Sequence, residues 1–167
     1  MQIVKEKNIK VIEVKAGDRI QLDKNTYMEI LHPQEKNFIE ENNLNNNAMV
    51  VKLIYKKFSM LFTGDIEKIA EEQIINRIDK NKLKSNILKV AHHGSKTSSI
   101  QNFLEVVNPD IALIGVGKNN NFGHPNKEVL ERLEKYCSKV YRTDKNGEIV
   151  IKVDRKGKMQ IKKQINE

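Results

Sequence analysis

The alternation of apolar and polar residues in the first third of the chain predicts short antiparallel strands. Apolar side chains recur at every second position, and Gly, Asp, Pro or paired Lys residues separate the runs. The predicted strands are 9–14, 20–22, 27–31, 49–55 and 58–62. The polar, Asn-rich stretch 35–47 interrupts them and predicts a loop with one helical turn near Phe38 and Ile39. This region therefore indicates a β-meander that ends in a hairpin.

After residue 65 the period changes, and apolar residues recur at helical spacing. Helices are predicted at 66–78, 99–107 and 126–137, with Asn126 as an N-cap. Strands are predicted between and after them at 86–91, 110–117, 139–143 and 147–153, with a further strand near 158–164. A meander followed by alternating strands and helices favours a mixed β-sheet with helices packed on its outer face. The predicted fold class is therefore α+β (α/β layered).

Length and composition narrow the class of protein. The 167 residues predict a single domain, 1–167, with a real hydrophobic core. The chain has neither the roughly 20 consecutive apolar residues of a membrane span nor the apolar segment of a signal peptide. The lone Cys137 cannot form an intrachain disulfide or a thiolate zinc site, so any metal needs His and carboxylate ligands. The net charge of +8, densest at 154–164, favours contact with a polyanion.

Candidate chemistry lies where three predicted apolar strands end. Asp65, the pair His92-His93, and His124 each follow such a strand, and neighbouring strands would bring them to one edge. One carboxylate and three imidazoles suit zinc, manganese or iron. Simpler interpretations remain open: Asp65 as an N-cap, the His pair as a backbone-bonded loop, and His124-Pro125 as a turn. His32-Pro33 is interpreted as a turn.

The hydroxyl residues after the histidine pair raise the question of a serine nucleophile. Ser95 is too close in sequence to His93 for a catalytic pair, and the chain lacks a Gly-x-Ser-x-Gly elbow. The hydroxyls are predicted instead to cap the helix beginning at Ile100 or to donate to a substrate phosphate at its N-terminus.

Four segments carry a resemblance to a known family. They are LFTGDIEKIAEEQII, ILKVAHHGSKTSS, VNPDIALIGVGKNNNFGHPNKEVLERL and VYRTDKNGEIVI. Together they resemble the metallo-β-lactamase-type domain of the ComEC family of DNA-internalisation (competence) proteins, over about residues 8–153. The resemblance implies roughly the second half of an αββα sandwich, and two divalent ions (zinc or manganese) that activate a water to hydrolyse phosphodiester bonds.

The resemblance also implies roles for individual residues. Asp65 matches the Asp that bridges the two metals, and Asp65, His92 and His93 are the implied catalytic residues. The candidate metal ligands are Asp65, His92, His93 and His124, and the sequence leaves open which histidine coordinates and which contacts substrate. The implied substrate contacts are Ser95, Ser98, Lys96 and Asn120, with added positive potential from Lys89 and Lys118.

One part of the family pattern is absent. The His-x-His/Asp-x-Asp-His motif of the first half of the domain has no counterpart, because His32 lacks such neighbours. Asn46 or Asn47 lies where many members carry a further His ligand. A two-metal centre needs ligands on both ions, so the main ligand cluster is missing. We therefore expect this chain to be part of a longer protein, or else a diverged relative that has lost catalysis.

These expectations extend to partners and activity. Alone, the chain is expected to bind metal weakly or not at all and to show negligible turnover. DNA is the expected substrate, a membrane-embedded remainder of a longer parent is the expected attachment, and an exposed sheet face predicts self-association. The competing interpretations are a non-catalytic DNA-binding half-domain, and a standalone hydrolase of a small molecule.

Overall fold

The computed structural model describes residues 2–165, and from residue 19 onward the main strands and helices follow the predicted order, with short helices at 2–6, 80–83 and 143–146 that were not predicted. The helices are α1 (Gln2–Glu6), α2 (Asn43–Asn46), α3 (Lys68–Arg77), α4 (Lys80–Leu83), α5 (Gln101–Val107), α6 (Lys127–Tyr136) and α7 (Thr143–Asn146). The strands are β1 (Arg19–Asp23), β2 (Thr26–His32), β3 (Val50–Tyr55), β4 (Phe58–Phe62), β5 (Ile87–Lys89), β6 (Ile111–Ile114), β7 (Lys139–Arg142), β8 (Ile149–Val153) and β9 (Met159–Lys163). None of the described helices has the length and apolar character to cross a membrane.

Strands β1 to β7 form one sheet whose spatial order follows the chain. The first four strands pair antiparallel, as the predicted meander requires, and β4 to β7 pair parallel. The parallel pairs need crossover connections, which α3, α5 and α6 provide. The carboxyl ends of β4, β5 and β6 therefore lie side by side at one edge of the sheet.

The main core lies between this sheet and the three crossover helices. Each helix turns a stripe of apolar residues toward the sheet, and the strands contribute the facing apolar side chains. The largest completely covered members of this core include Phe103, Leu61, Ile66, Leu88 and Leu133. Asn126 caps α6 as predicted, since its side chain accepts from the Glu128 amide.

A second, smaller core lies on the opposite face of the sheet. The antiparallel hairpin β8–β9 packs Ile149, Ile151 and Ile161 over a cluster that includes Phe58 and Ile111. The layers are therefore helices, a seven-stranded mixed sheet and a two-stranded sheet, which confirms the predicted α+β layering. The relation to an αββα sandwich stays a prediction.

The hairpin does not cover the whole of this second face. Cross-strand register places Ile20 on the same face as Met28, Leu53 and Met60, and Met60 packs against the hairpin. At the edge of the sheet, however, Ile20 is 38% exposed and Leu22 is 52% exposed. The predicted exposed apolar face is present on β1, while self-association stays a prediction.

Two predictions for the first third are wrong. Residues 9–14 are not a strand: they follow α1 and a left-handed Asn8, and Val11 and Ile12 are 59% and 68% exposed. Alternation alone does not form a strand when no neighbouring strand accepts its hydrogen bonds. The helical turn of the Asn-rich stretch is α2, not Phe38-Ile39, because the amide and carbonyl of Ile39 bond the Asn47 side chain instead of other backbone groups of a helix.

Candidate functional site

The loops that follow β4, β5 and β6 bring the four predicted ligand residues together. Asp65 follows β4, His92 and His93 follow β5, and His124 lies in the loop after β6. The Nε2 atom of His93 lies 3.8 Å from Oδ1 of Asp65, and the rings of His92 and His124 meet edge to face with centroids 5.8 Å apart. The predicted convergence at one sheet edge is therefore correct, and the chemical roles of these residues stay predictions.

The backbone of the histidine loop is held in an unusual conformation. His92 and His93 have φ angles of 48° and 54°, in the left-handed region that favours glycine. The His92 amide donates to the Gly64 carbonyl, and the Asn126 amide donates to the Gly94 carbonyl. Gly94 is required, because a Cβ there would lie 2.6 Å from Cβ of Pro125. Neighbouring loops thus enforce a strained arrangement of the kind that clusters at functional sites.

Hydrogen bonding sets the tautomer of His93. Its Nδ1 lies 2.5 Å from the Gly115 carbonyl oxygen. A carbonyl only accepts, so Nδ1 carries the hydrogen, and Nε2 of the neutral ring keeps a free lone pair. Nε2 is also the atom that lies 3.8 Å from Oδ1 of Asp65, so a proton or a cation held there would be near both groups.

Glu67 is a site residue that the sequence did not reveal. Its Oε1 accepts from the Thr97 hydroxyl and lies 3.4 Å from Nδ1 of His92. This approach lacks hydrogen-bond geometry, so the buried Nδ1 of His92 has no hydrogen-bond partner. The position of Glu67, two residues after Asp65 and just before α3, was the available signal.

A buried polar connection joins Glu67 to the Asn-rich stretch. The Asn46 side chain accepts from the Glu67 amide and donates to the Glu41 carbonyl. The Asn46 carbonyl in turn accepts from Nε2 of His32, which is 1% exposed, so His32 does more than form a turn. Desolvation lowers the pKa of His32, which favours the neutral ring. These contacts fix the start of α3 against β2.

Two proposed helix caps are absent, one of them the alternative interpretation of Asp65 and the other the prediction for the hydroxyl residues. Asp65 does not cap α3, because that helix begins at Lys68 and its N-cap position is Glu67. The hydroxyl residues do not cap α5 either. The carboxylate of Glu71, from α3, accepts from the Ser99 and Ile100 amides instead.

The predicted substrate contacts have mixed surroundings. The Ser98 hydroxyl is completely buried and donates to the Ile66 carbonyl, and the buried Ser95 hydroxyl bonds Thr97. The Asn120 side chain holds its own loop by accepting from the His124 amide and donating to its carbonyl. Lys96 is exposed. The two serines and Asn120 therefore shape the loops that carry the histidines, and substrate contact stays a prediction for all four.

Charge and burial act together on the groups around the cluster. Burial lowers the pKa of His124, and the nearby charges of His92 and His93 lower it further. Burial also lowers the pKa of Lys89, against the opposing effect of the Asp65 carboxylate. The site thus combines three imidazoles with the carboxylates of Asp65 and Glu67 and the half-buried ammonium of Lys89.

The donor set fits one side of a divalent metal site. Two ligands that share a tetrahedral ion at bond lengths of about 2.1 Å lie roughly 3.4 Å apart. The Asp65–His93 separation of 3.8 Å is close to that value. Within residues 2–165, however, no group of three or more His, Cys, Asp or Glu side chains is arranged to hold an ion. The described residues therefore do not complete a metal centre.

Comparison with known proteins identifies relatives of this chain. No protein-family model matches it. It is 35% identical over 149 residues to ComE operon protein 3 of Bacillus subtilis, covering 89% of this chain and 18% of that protein. It is 33% identical over 129 residues to competence protein ComA of Neisseria gonorrhoeae, covering 77% of this chain and 18% of that protein.

A third relative extends the comparison to another bacterium. The chain is 39% identical over 105 residues to recombination protein 2 of Haemophilus influenzae, covering 63% of this chain and 13% of that protein. The chain thus spans less than a fifth of the length of these relatives. It is a homologue of bacterial competence proteins and corresponds to one segment of them.

Proposed function

We propose that this chain is part of a metal-dependent hydrolase domain that acts on DNA phosphodiester bonds during bacterial DNA uptake. The observation that carries the proposal is the convergence of Asp65, His92, His93 and His124 at the ends of three adjacent strands. The competence relatives support the biological setting. The remaining metal ligands would come from a segment outside this chain.

The chain's own residues suit handling of a phosphodiester and water. His93, held by the Gly115 carbonyl, presents an Nε2 lone pair that can take a proton from water. Asp65 beside it stabilises the imidazolium that results. Lys89, Lys96 and Lys118 supply positive potential toward the phosphate. In the proposed whole protein, a membrane-embedded remainder would hold this domain at the uptake site.

A second candidate function is DNA binding without catalysis. The net charge of +8 and the lack of a three-donor group within the described residues favour it. The two functions differ in what a divalent ion does at Asp65. In the hydrolase part, Asp65 and His93 attract the ion even when the site is incomplete. In a binding module, the ion has no preferred position.

Mn²⁺ titration followed by NMR distinguishes these functions. A bound Mn²⁺ ion broadens the signals of nearby amides, so the spectra of the intact chain show where even weak binding occurs. At substoichiometric Mn²⁺ we expect the amide signals of Gly64, His93 and Gly115 to broaden first. Asp65→Asn should abolish this selective loss. The control Asp110→Asn changes an exposed carboxylate at the opposite end of β6 and should leave the loss unchanged.

Broadening spread over many surface carboxylates, or selective broadening that survives Asp65→Asn, would contradict the hydrolase proposal. If the chain also binds DNA in a salt-dependent manner under either of those outcomes, the non-catalytic function is supported. We expect negligible DNA cleavage by this chain alone.

A further inference from the structure

Three turns meet at the end of the sheet opposite the histidine cluster. They join β1 to β2 (23–25), β3 to β4 (56–57) and β8 to β9 (154–158), and together they are called the turn surface. The five residues of β4 separate this surface from the loop of Asp65 by roughly 16 Å, at about 3.3 Å per residue. The turn surface is therefore distinct from the site described above.

Hydrogen bonds connect the three turns. The Lys56 amide donates to the Asn25 carbonyl, and the Lys56 ammonium donates to the Arg155 carbonyl at 2.8 Å. A cleft of 690 Å³ lies between the turns and is lined by Asp23, Lys24, Asn25, Tyr55, Lys56 and Arg155. Residues distant in sequence thus form one concave surface.

The turn surface carries a concentrated positive charge. Its ten residues include six exposed cations: Lys24, Lys56, Lys57, Arg155, Lys156 and Lys158. They include only two carboxylates, so these ten residues account for half of the chain's net charge of +8. The two carboxylates bond their own turns: Asp23 accepts from the Asn25 amide, and Asp154 accepts from the amides of Lys156 and Lys158. The six cations lie at exposed positions, and the Lys56 ammonium also bonds the Arg155 carbonyl.

A second cleft continues this surface toward the parallel strands. Its volume is 310 Å³, and it is lined by Lys57 together with Lys84, Ser85 and Asn86, among other residues. The exposed ammonium groups of Lys57 and Lys84 are donors of the kind that contact phosphate oxygens of nucleic acids. The one carboxylate in this lining, Asp110, accepts from the Asn86 side chain. The ten residues of the three turns include no apolar side chain that could insert into a lipid layer.

We propose that the turn surface binds the phosphate backbone of a nucleic acid. It provides a contact separate from the histidine cluster, and it does so whether or not that cluster supports hydrolysis. The concave shape and the row of cations match a polyanionic strand, whereas a membrane-binding surface combines cations with exposed apolar side chains. Contacts of this kind are sequence-independent and strongly salt-dependent.

The test compares two triple variants of equal charge change. Lys24→Gln, Lys56→Gln and Arg155→Gln together alter the turn surface. Lys7→Gln, Lys36→Gln and Lys127→Gln together form the control and alter exposed lysines outside it. Fluorescence anisotropy with a single-stranded and a duplex oligonucleotide measures binding across a range of KCl concentrations, and a thermal melt confirms that both variants fold.

Each neutralised phosphate contact contributes about 0.7 to the slope of log K against log salt for a single strand, and about 0.9 for a duplex. Loss of three contacts should reduce that slope by about 2 to 3 and weaken binding at least tenfold at low salt. The control should change the affinity less than threefold. The two oligonucleotides show which form of nucleic acid the surface prefers.

Equal losses in the two variants would overturn the proposal, since binding would then depend on net charge alone. Retained affinity in the turn-surface variant would also overturn it. Co-sedimentation of both variants and the native chain with phosphatidylglycerol vesicles gives a third comparison. If the turn-surface variant loses vesicle binding but keeps its affinity for both oligonucleotides, the surface binds a membrane and the proposal is overturned. None of these results bears on Asp65 and Mn²⁺, so failure here is distinguishable from failure of the proposed hydrolase.

Discussion

Replacement of Glu71 by Gln should change how the stability of this protein depends on pH. Glu71 lies on α3 and is completely buried, yet its carboxylate accepts from the Ser99 and Ile100 amides. Burial favours the neutral acid, while these two donors and the nearby Arg132 favour the carboxylate. Burial wins, and it raises the pKa of Glu71 from its ordinary 4.5 to about 7.

The size and direction of the effect follow from that pKa. One pKa unit corresponds to about 1.4 kcal/mol, so the rise from 4.5 to about 7 corresponds to roughly 3 kcal/mol. The folded state binds the proton more tightly than the unfolded state does. Protonation of Glu71 therefore contributes fully to the free energy of unfolding below pH 4.5, and this contribution is lost as pH rises toward 7. Above that pH the contribution no longer changes.

Urea unfolding followed by circular dichroism, at several pH values from 5 to 8, measures this effect. Glu71→Gln removes the titration, so the stability of the native chain relative to this variant should fall by about 2 kcal/mol between pH 5 and pH 7.5. Glu72→Gln is the control, because Glu72 is the next residue of α3 and its side chain is 46% exposed. That variant should show no comparable change.

A relative stability that rises with pH would refute this reasoning. It would mean that the two amide donors and Arg132 outweigh burial, and that Glu71 is an ionised cap of α5. A difference that does not depend on pH would refute it too, since the carboxyl would then titrate identically in the folded and unfolded chains. Both results differ from a simple loss of stability in the variant, which lowers the free energy of unfolding equally at every pH.

Two further predictions concern the core. Phe103→Ala should destabilise the protein by about 3 to 5 kcal/mol in urea unfolding, because Phe103 is 1% exposed between α5 and the sheet; Asn102→Ala, at the exposed neighbouring position, should change stability by less than about 0.5 kcal/mol. Burial raises the pKa of the Cys137 thiol to about 11. A disulfide reagent at pH 8 should therefore label this thiol only in denaturant. Rapid labelling of the native chain would contradict this and would show that the end of α6 opens.

The order of strands and helices could be predicted because the hydrophobic period changes along the chain. The period of two before residue 65 and the helical period after it distinguish the meander from the crossover units. Residues 9–14 show the limit of this approach. Their pattern is that of a strand, but a strand also needs a paired neighbour, and only tertiary structure shows that none is present.

The candidate site could be predicted in part for a similar reason. Strand ends carry Asp65 and the histidines, and parallel pairing of β4, β5 and β6 brings those ends together. The contributions of Glu67 and Asn46 could not be predicted, because a carboxylate before a helix and an amide in an Asn-rich stretch resemble surface residues. The left-handed backbone of His92 and His93 was equally hidden, since contacts from Gly64 and Asn126 impose it.

The way the histidine loop is held bears on how a complete site would form. Three separate elements fix the loop: Gly64 bonds His92, Asn126 bonds Gly94, and Glu71 bonds Ser99 and Ile100. These contacts use only protein groups, so the donors occupy their positions without help from an ion. A segment that adds further ligands would therefore meet a preformed edge, and it would not have to order this loop at a cost in entropy. On this argument, loosening the loop through Glu71 should weaken Mn²⁺ binding at Asp65 even though Glu71 itself contacts neither Asp65 nor His93.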